Sequence, residues 1–101
     1  MIKHVVFFRL LDEAEGHTKI ENATIIREGL LSLKDKISIL RSEQVGINIP
    51  NATKTDYDIC LECTFDRWED VDTYQNHPDH LKVAAYIGKC RSARAAVDYE
   101  F

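Results

Sequence analysis

The chain has 101 residues, a length that suits one domain around one core. Hydrophobic residues make up 45% and charged residues 30%, which excludes the apolar-poor composition of a disordered chain. The formal charge of −4 argues against a nucleic-acid binder, which carries a basic surface.

Residues 2–10, "IKHVVFFRL", read as a buried strand. The run is too short, and Arg9 and Asp12 interrupt it too soon, for a signal peptide or a membrane span. No membrane partner is expected, and a cytoplasmic location is. Asp12 to Gly16 read as a polar loop. Ile20, Ala23, Ile26, Leu30, Leu33 and Ile37 then recur at helical spacing over residues 18–37, with Gly29 as the weak point. "SEQVGINIP" alternates Val45, Ile47 and Ile49 with polar residues and predicts a strand ended by Pro50. "NATKTD" is the turn that follows, and residues 57–65 form the third strand. Asp66 and Glu69 have the spacing of a capping box, so a short helix is predicted from there to about Asn76. Pro78 closes it and opens the last helix, predicted to reach about Arg94. On this reading Lys82, Lys89, Arg91 and Arg94 complement a helix dipole rather than form a nucleic-acid patch. "AVDYEF" ends the chain as a strand.

The predicted order is β-α-β-β-α-β. This is the ferredoxin-like α+β arrangement, a four-stranded antiparallel sheet with helices on one face, formed by residues 1–101 as a single domain. Period-two facing assigns Val6 and Phe8, Val45, Ile47 and Ile49, Ile59, Leu61, Cys63 and Phe65, and Val97, Tyr99 and Phe101 to the helix-covered side. Lys3, Val5, Phe7, Arg9, Gln44, Asn48, Asp58, Cys60, Glu62, Thr64, Asp98 and Glu100 fall on the other side. Three cysteines, an odd number, suit a reducing compartment. Cys60 and Cys63 spell C-x-x-C, but on a strand they point to opposite faces and cannot share a metal or a disulfide.

The stretch "YQNHPDH" concentrates the chemistry. His80, Val83, Ala84 and Ile87 share one helical stripe, so His80 points at the sheet. Val71 and Tyr74 share a face of the preceding helix, and His4 has the parity of Val6 and Phe8. His4, Tyr74 and His80 are therefore expected to converge between sheet and helices. His77 precedes a proline, which disfavours helical geometry there, so it caps or bridges the joint instead of sharing a metal with His80. No metal site is expected. Burial and the positive end of the helix favour a neutral His80 imidazole, able to act as a general base. The competing reading is a core histidine hydrogen-bonded to Tyr74 or to backbone.

"HVVFFRL", "VGIN", "YDICLECTFDRWEDVDTY" and "HPDH" together resemble the stress-responsive A/B barrel (Dabb) family over essentially the whole chain. The resemblance implies a homodimeric α/β barrel in which the sheets of two protomers face each other. A plant member of the family closes a linear polyketide by aldol chemistry without a cofactor, using a tyrosine and a histidine that fall on Tyr74 and His80. Its first-strand histidine falls on His4, and Ile59 stands where it has a further histidine. The resulting expectation is a cofactor-independent enzyme acting on a small apolar carbonyl or polyketide-like compound. His80 is then the base, Tyr74 the donor to the oxyanion and His4 a tuning residue. The alternatives are a non-catalytic dimeric module that binds a small ligand or serves a stress response, and a cofactor-free monooxygenase-like enzyme.

Overall fold

A computed structural model describes residues 1–50 and 57–101; the turn expected at 51–56 lies outside the described residues. The strands are β1 (Ile2–Leu10), β2 (Glu13–Ala14), β3 (His17–Thr18), β4 (Ser42–Ile47), β5 (Ile59–Phe65) and β6 (Arg91–Glu100). The helices are α1 (Lys19–Leu31), α2 (Trp68–Asn76) and α3 (Pro78–Cys90), with a 3₁₀ turn at Ser32–Asp35. Four strands form one sheet in the order β4-β5-β1-β6, every pair antiparallel, and the helices cover one face. This is the ferredoxin-like α+β topology that the element order predicts. No helix among the described residues is long and apolar enough to cross a membrane.

Local chemistry explains the boundaries. The polar loop after β1 is a small hairpin, β2–β3, whose two-residue connection, Glu15 and Gly16, takes φ of 52° and 76°. Positive φ at both central positions matches the twist of paired strands, and glycine adopts it without a Cβ clash. Thr18 caps α1: its hydroxyl accepts from the Glu21 amide and the Glu21 carboxylate accepts from the Thr18 amide. Gly29 faces α3, where a Cβ would stand 3.4 Å from Val83. The residue that weakens the helix in isolation thus lets two helices approach.

The capping box expected at Asp66 and Glu69 does not form. Arg67 is the N-cap of α2 and makes no side-chain cap bond, because Arg41 holds the Asp66 carboxylate at 2.6 Å. Helix α3 ends at Cys90, four residues before the expected Arg94. Residues 91–94 extend instead because β1 offers them a strand to pair with. Arg91 and Arg94 are therefore strand residues, not the end of a helix.

The largest correction concerns β6. Its register sets Asp98 opposite His4, Ala96 opposite Val6 and Arg94 opposite Phe8, which turns these residues to the helix-covered side. Val97, Tyr99 and Phe101 point the other way and are 56%, 47% and 62% exposed. The alternation was right in period and inverted in face. On β4, Val45 is buried as expected, but Ile49 lies beyond the strand and is 69% exposed. The core itself joins Val6, Phe8, Leu61 and Phe65 of the sheet to Ala23, Ile26, Leu30 and Leu33 from the α1 side and to Val71, Tyr74 and Ile87.

Candidate functional site

The covered face of the sheet carries a row of titratable residues across all four strands of the sheet. Register aligns Glu43 on β4 with Cys63 on β5, Cys63 with His4 on β1, and His4 with Asp98 on β6. His4 is buried, and its Nδ1 lies 2.5 Å from Asp98 Oδ1. A carboxylate only accepts, so Nδ1 carries the proton in this contact. Tyr74 from α2 sits above the row with no exposed surface. Its hydroxyl oxygen accepts from the Cys63 thiol at 3.9 Å, and its ring lies 6.3 Å from His4 and 5.3 Å from Phe65, centroid to centroid.

His80 stands in the first turn of α3, with its ring centroid 4.5 Å from that of Tyr74. Its Nδ1 donates to the Gln75 carbonyl at 3.1 Å, which fixes the tautomer with the lone pair on Nε2. Burial is the main reason that His80 is less basic than an ordinary histidine; the Gln75 carbonyl opposes the shift, and His4, Arg94 and His77 add to it. His80 is thus a neutral imidazole at pH 7, as its place in the sequence suggests. His77 is the N-cap of α3: its Nδ1 accepts from the Asp79 amide at 3.1 Å. Proline at 78 explains this, since it holds His77 in extended geometry with φ −62° and ψ 135°. His77 and His80 turn to different partners. Among the described residues, no group of three or more His, Cys, Asp or Glu has the arrangement of a metal site. Cys60 and Cys63 lie on opposite faces of β5, Cys60 beside Phe7 and Cys63 beneath α2.

A cavity of about 110 Å³ opens between sheet and helices. Val6, Phe8, Leu30, Leu61, Ala84 and Ile87 make its apolar wall; His4, Gln75, His80, Arg91 and Arg94 supply its polar groups. The three residues singled out in the sequence do converge, but unequally. His4 and His80 line the cavity, while Tyr74 packs behind His80 with its oxygen turned to Cys63. Burial, then Cys63 and Glu43, raise the Tyr74 hydroxyl well above the ordinary tyrosine range, so it stays protonated. Burial also pushes Cys63 up to about 12.

Four residues of this region escaped the sequence reading. Asp98 was placed on the wrong face, and Arg91 and Arg94 on the wrong element. Glu43 carried a usable signal, since it shares the parity of Val45 and Ile47. Both its carboxylate oxygens are buried with no hydrogen-bond partner among the described residues, and burial raises it to about 7 against the pull of Lys34.

The layered sheet, the helix-covered cavity and its paired histidines define a ferredoxin-like α+β protein with a small internal site. The chain belongs to the Dabb family, the stress responsive A/B Barrel Domain, which matches residues 2–101. Among solved structures it is similar to a dimeric protein of unknown function from Bacteroides fragilis. That protein is 32% identical with a TM-score of 0.82, the match covering 99% of this chain and 95% of the other. A dimeric ferredoxin-like protein of unknown function from Thermobifida fusca is 25% identical, TM-score 0.82, over 99% of this chain and 90% of the other. The hydroxynitrile lyase of Passiflora edulis shares the fold at 17% identity, TM-score 0.74, over 97% and 90%. No curated protein matches the sequence.

Proposed function

We propose that this chain is a cofactor-independent acid–base catalyst for a small, largely apolar carbonyl compound. The observation that carries the reading is one cavity faced by two histidines in contrasting environments. His80 is neutral and holds its free Nε2 ready to take a proton. His4 is backed by the Asp98 carboxylate, an arrangement that lets its Nε2 take up a proton as the imidazolium and then pass it on or donate it to a developing oxyanion. This moves oxyanion donation from Tyr74 to His4. Tyr74 acts as a positioning residue: its ring holds the His80 imidazole and its hydroxyl is oriented by Cys63. The apolar wall suits the body of the substrate.

The working unit in this reading is a homodimer. Val5 and Phe7, with Val97, Tyr99 and Phe101, make an apolar surface on the helix-free face. Such a surface is stabilised by burial against a second copy. The relatives from Bacteroides fragilis and Thermobifida fusca are dimeric. Sedimentation showing only monomer at micromolar concentration would remove this part of the reading.

The test of catalysis is turnover of small ketones and polyketide-like carbonyl compounds by the purified protein and by His80→Ala and His4→Ala. A general base contributes about 10²–10⁴-fold, so His80→Ala loses that much rate while the melting temperature moves little. If His80→Ala instead lowers the melting temperature and no carbonyl compound is turned over, the two histidines form a structural network. The non-catalytic module then stands.

A further inference from the structure

We propose that the ligand of this cavity carries a carboxylate, held by Arg91 and Arg94, on a short apolar body that fills the space in front of His80. The chemistry at His80 rests on the acid–base reading above; the binding of an anion does not.

The first support is placement. In an unbroken antiparallel ladder only alternate residues of β6 face the helices. Arg94, opposite Phe8, does so; Ser92 would be next. Between Arg9 and Leu10 the register slips, so that Arg9 pairs with Ala93 but Leu10 pairs with Arg91. The slip brings Arg91 to the side of Arg94, and both line the cavity. An extra residue in a ladder re-aims side chains in this way, often beside an active site.

The second support is electrostatic. Acidic residues outnumber basic ones, 17 to 13. Yet neither the Arg91 nor the Arg94 side chain ion-pairs or hydrogen-bonds among the described residues, whereas Arg41 holds Asp66 and Arg67 approaches Asp70. The acid beside the cavity, Asp98, is engaged by His4. Two guanidiniums lining one cavity supply the donors that a carboxylate accepts from. Beside them the cavity has one apolar wall, and it is close in size to the roughly 150 Å³ that holds a benzene-sized guest. At about 110 Å³ it takes a chain or ring of some five heavy atoms. A doubly charged phosphate gains less from so small an apolar wall and is an outcome for the test.

The arrangement has a consequence for His80. Arg94 is among the groups that make this imidazole less basic. A bound carboxylate offsets that charge, so the ligand itself raises the proton affinity of the base that acts on it.

The experiment is a nuclear magnetic resonance titration of the full chain with pentanoate, with the isosteric neutral pentanamide and with inorganic phosphate, following the His4 and His80 imidazoles. Pentanoate is expected to shift both rings and to raise the pH at which His80 titrates. Pentanamide, and pentanoate with the Arg91→Gln/Arg94→Gln variant, are expected to bind about 10-fold or more weakly, the usual loss when charge-assisted hydrogen bonds are removed. Both arginines are exposed, so the variant should keep the native melting temperature. Equal binding of pentanamide, unchanged binding by the double variant, or tighter binding of phosphate than of pentanoate overturns the proposal. Pentanoate binding that persists in His80→Ala, with no turnover by the native protein, would remove the catalytic reading and leave the anion site standing. Loss of turnover in His80→Ala without any pentanoate binding would do the reverse.

Discussion

Beneath the helices, Val6, Phe8, Leu61 and Phe65 are between 0% and 6% exposed. On the other face of the same sheet, Val97, Tyr99 and Phe101 are as apolar and remain half open. Titratable groups stand on both faces, Lys3, Arg9, Cys60 and Glu62 on the open one, but His4, Glu43, Cys63 and Asp98 lie on the covered side. The face that is closed within the protomer has therefore accepted polar groups that need partners, and the open face has kept apolar ones that need a cover. Alternation identifies two faces, but it does not say which is the inner one when both are meant to be covered.

The contrast can be broken by mutation, and the covered face should give the largest effect. Phe65→Ala removes a fully buried ring and should cost about 3–5 kcal/mol of stability in denaturant melts, independently of protein concentration. Tyr99→Asp should leave the protomer fold intact but weaken self-association by about 2 kcal/mol, seen as a rise of roughly 30-fold in the dissociation constant by sedimentation. If Tyr99→Asp destabilises the fold like a core change, the open face is not an interface.

Glu43→Gln sharpens the comparison by pH. The Glu43 carboxyl titrates at about 7 in the folded chain and in the ordinary glutamate range when unfolded. The native state then binds more protons between those values, so wild-type stability should fall as pH rises from about 4.5 through about 7. Allowing for solvent screening, the loss is on the order of 1–2 kcal/mol, and Glu43→Gln should flatten it. A stability curve with the same slope in both proteins would show that Glu43 is solvated. The smallest perturbation is Cys60→Ser, expected within about 0.5 kcal/mol of wild type. Thiol labelling of the native protein should nevertheless depend on it, since Cys63 and Cys90 are fully buried. Rapid labelling of Cys63 would mean that α2 does not seal the covered face.

The sequence carried the element order and the directions of His4 and His80, because helix and strand periods are local. A stripe at i, i+3, i+4 and i+7 points one way whatever surrounds it. The joint at His77 was equally legible, since Pro78 restricts its neighbour through a steric contact between adjacent residues. The interior of the site was less so. The short helix after β5 was expected from a cap at Asp66, yet that carboxylate went to Arg41, twenty-five residues away.

What only the tertiary structure decided follows from strand pairing. The register between β1 and β6 put Asp98 against His4, turned Val97 and Tyr99 outward and cut α3 short at Cys90. The slip after Arg9 then carried Arg91 to the cavity beside Arg94. Each of these depends on hydrogen bonds between residues some 80 to 100 positions apart, and on one-residue steps that reverse every side chain beyond them. Hydrophobic alternation within β6 reads the same for either facing. The partner strand, not the pattern, chose between them.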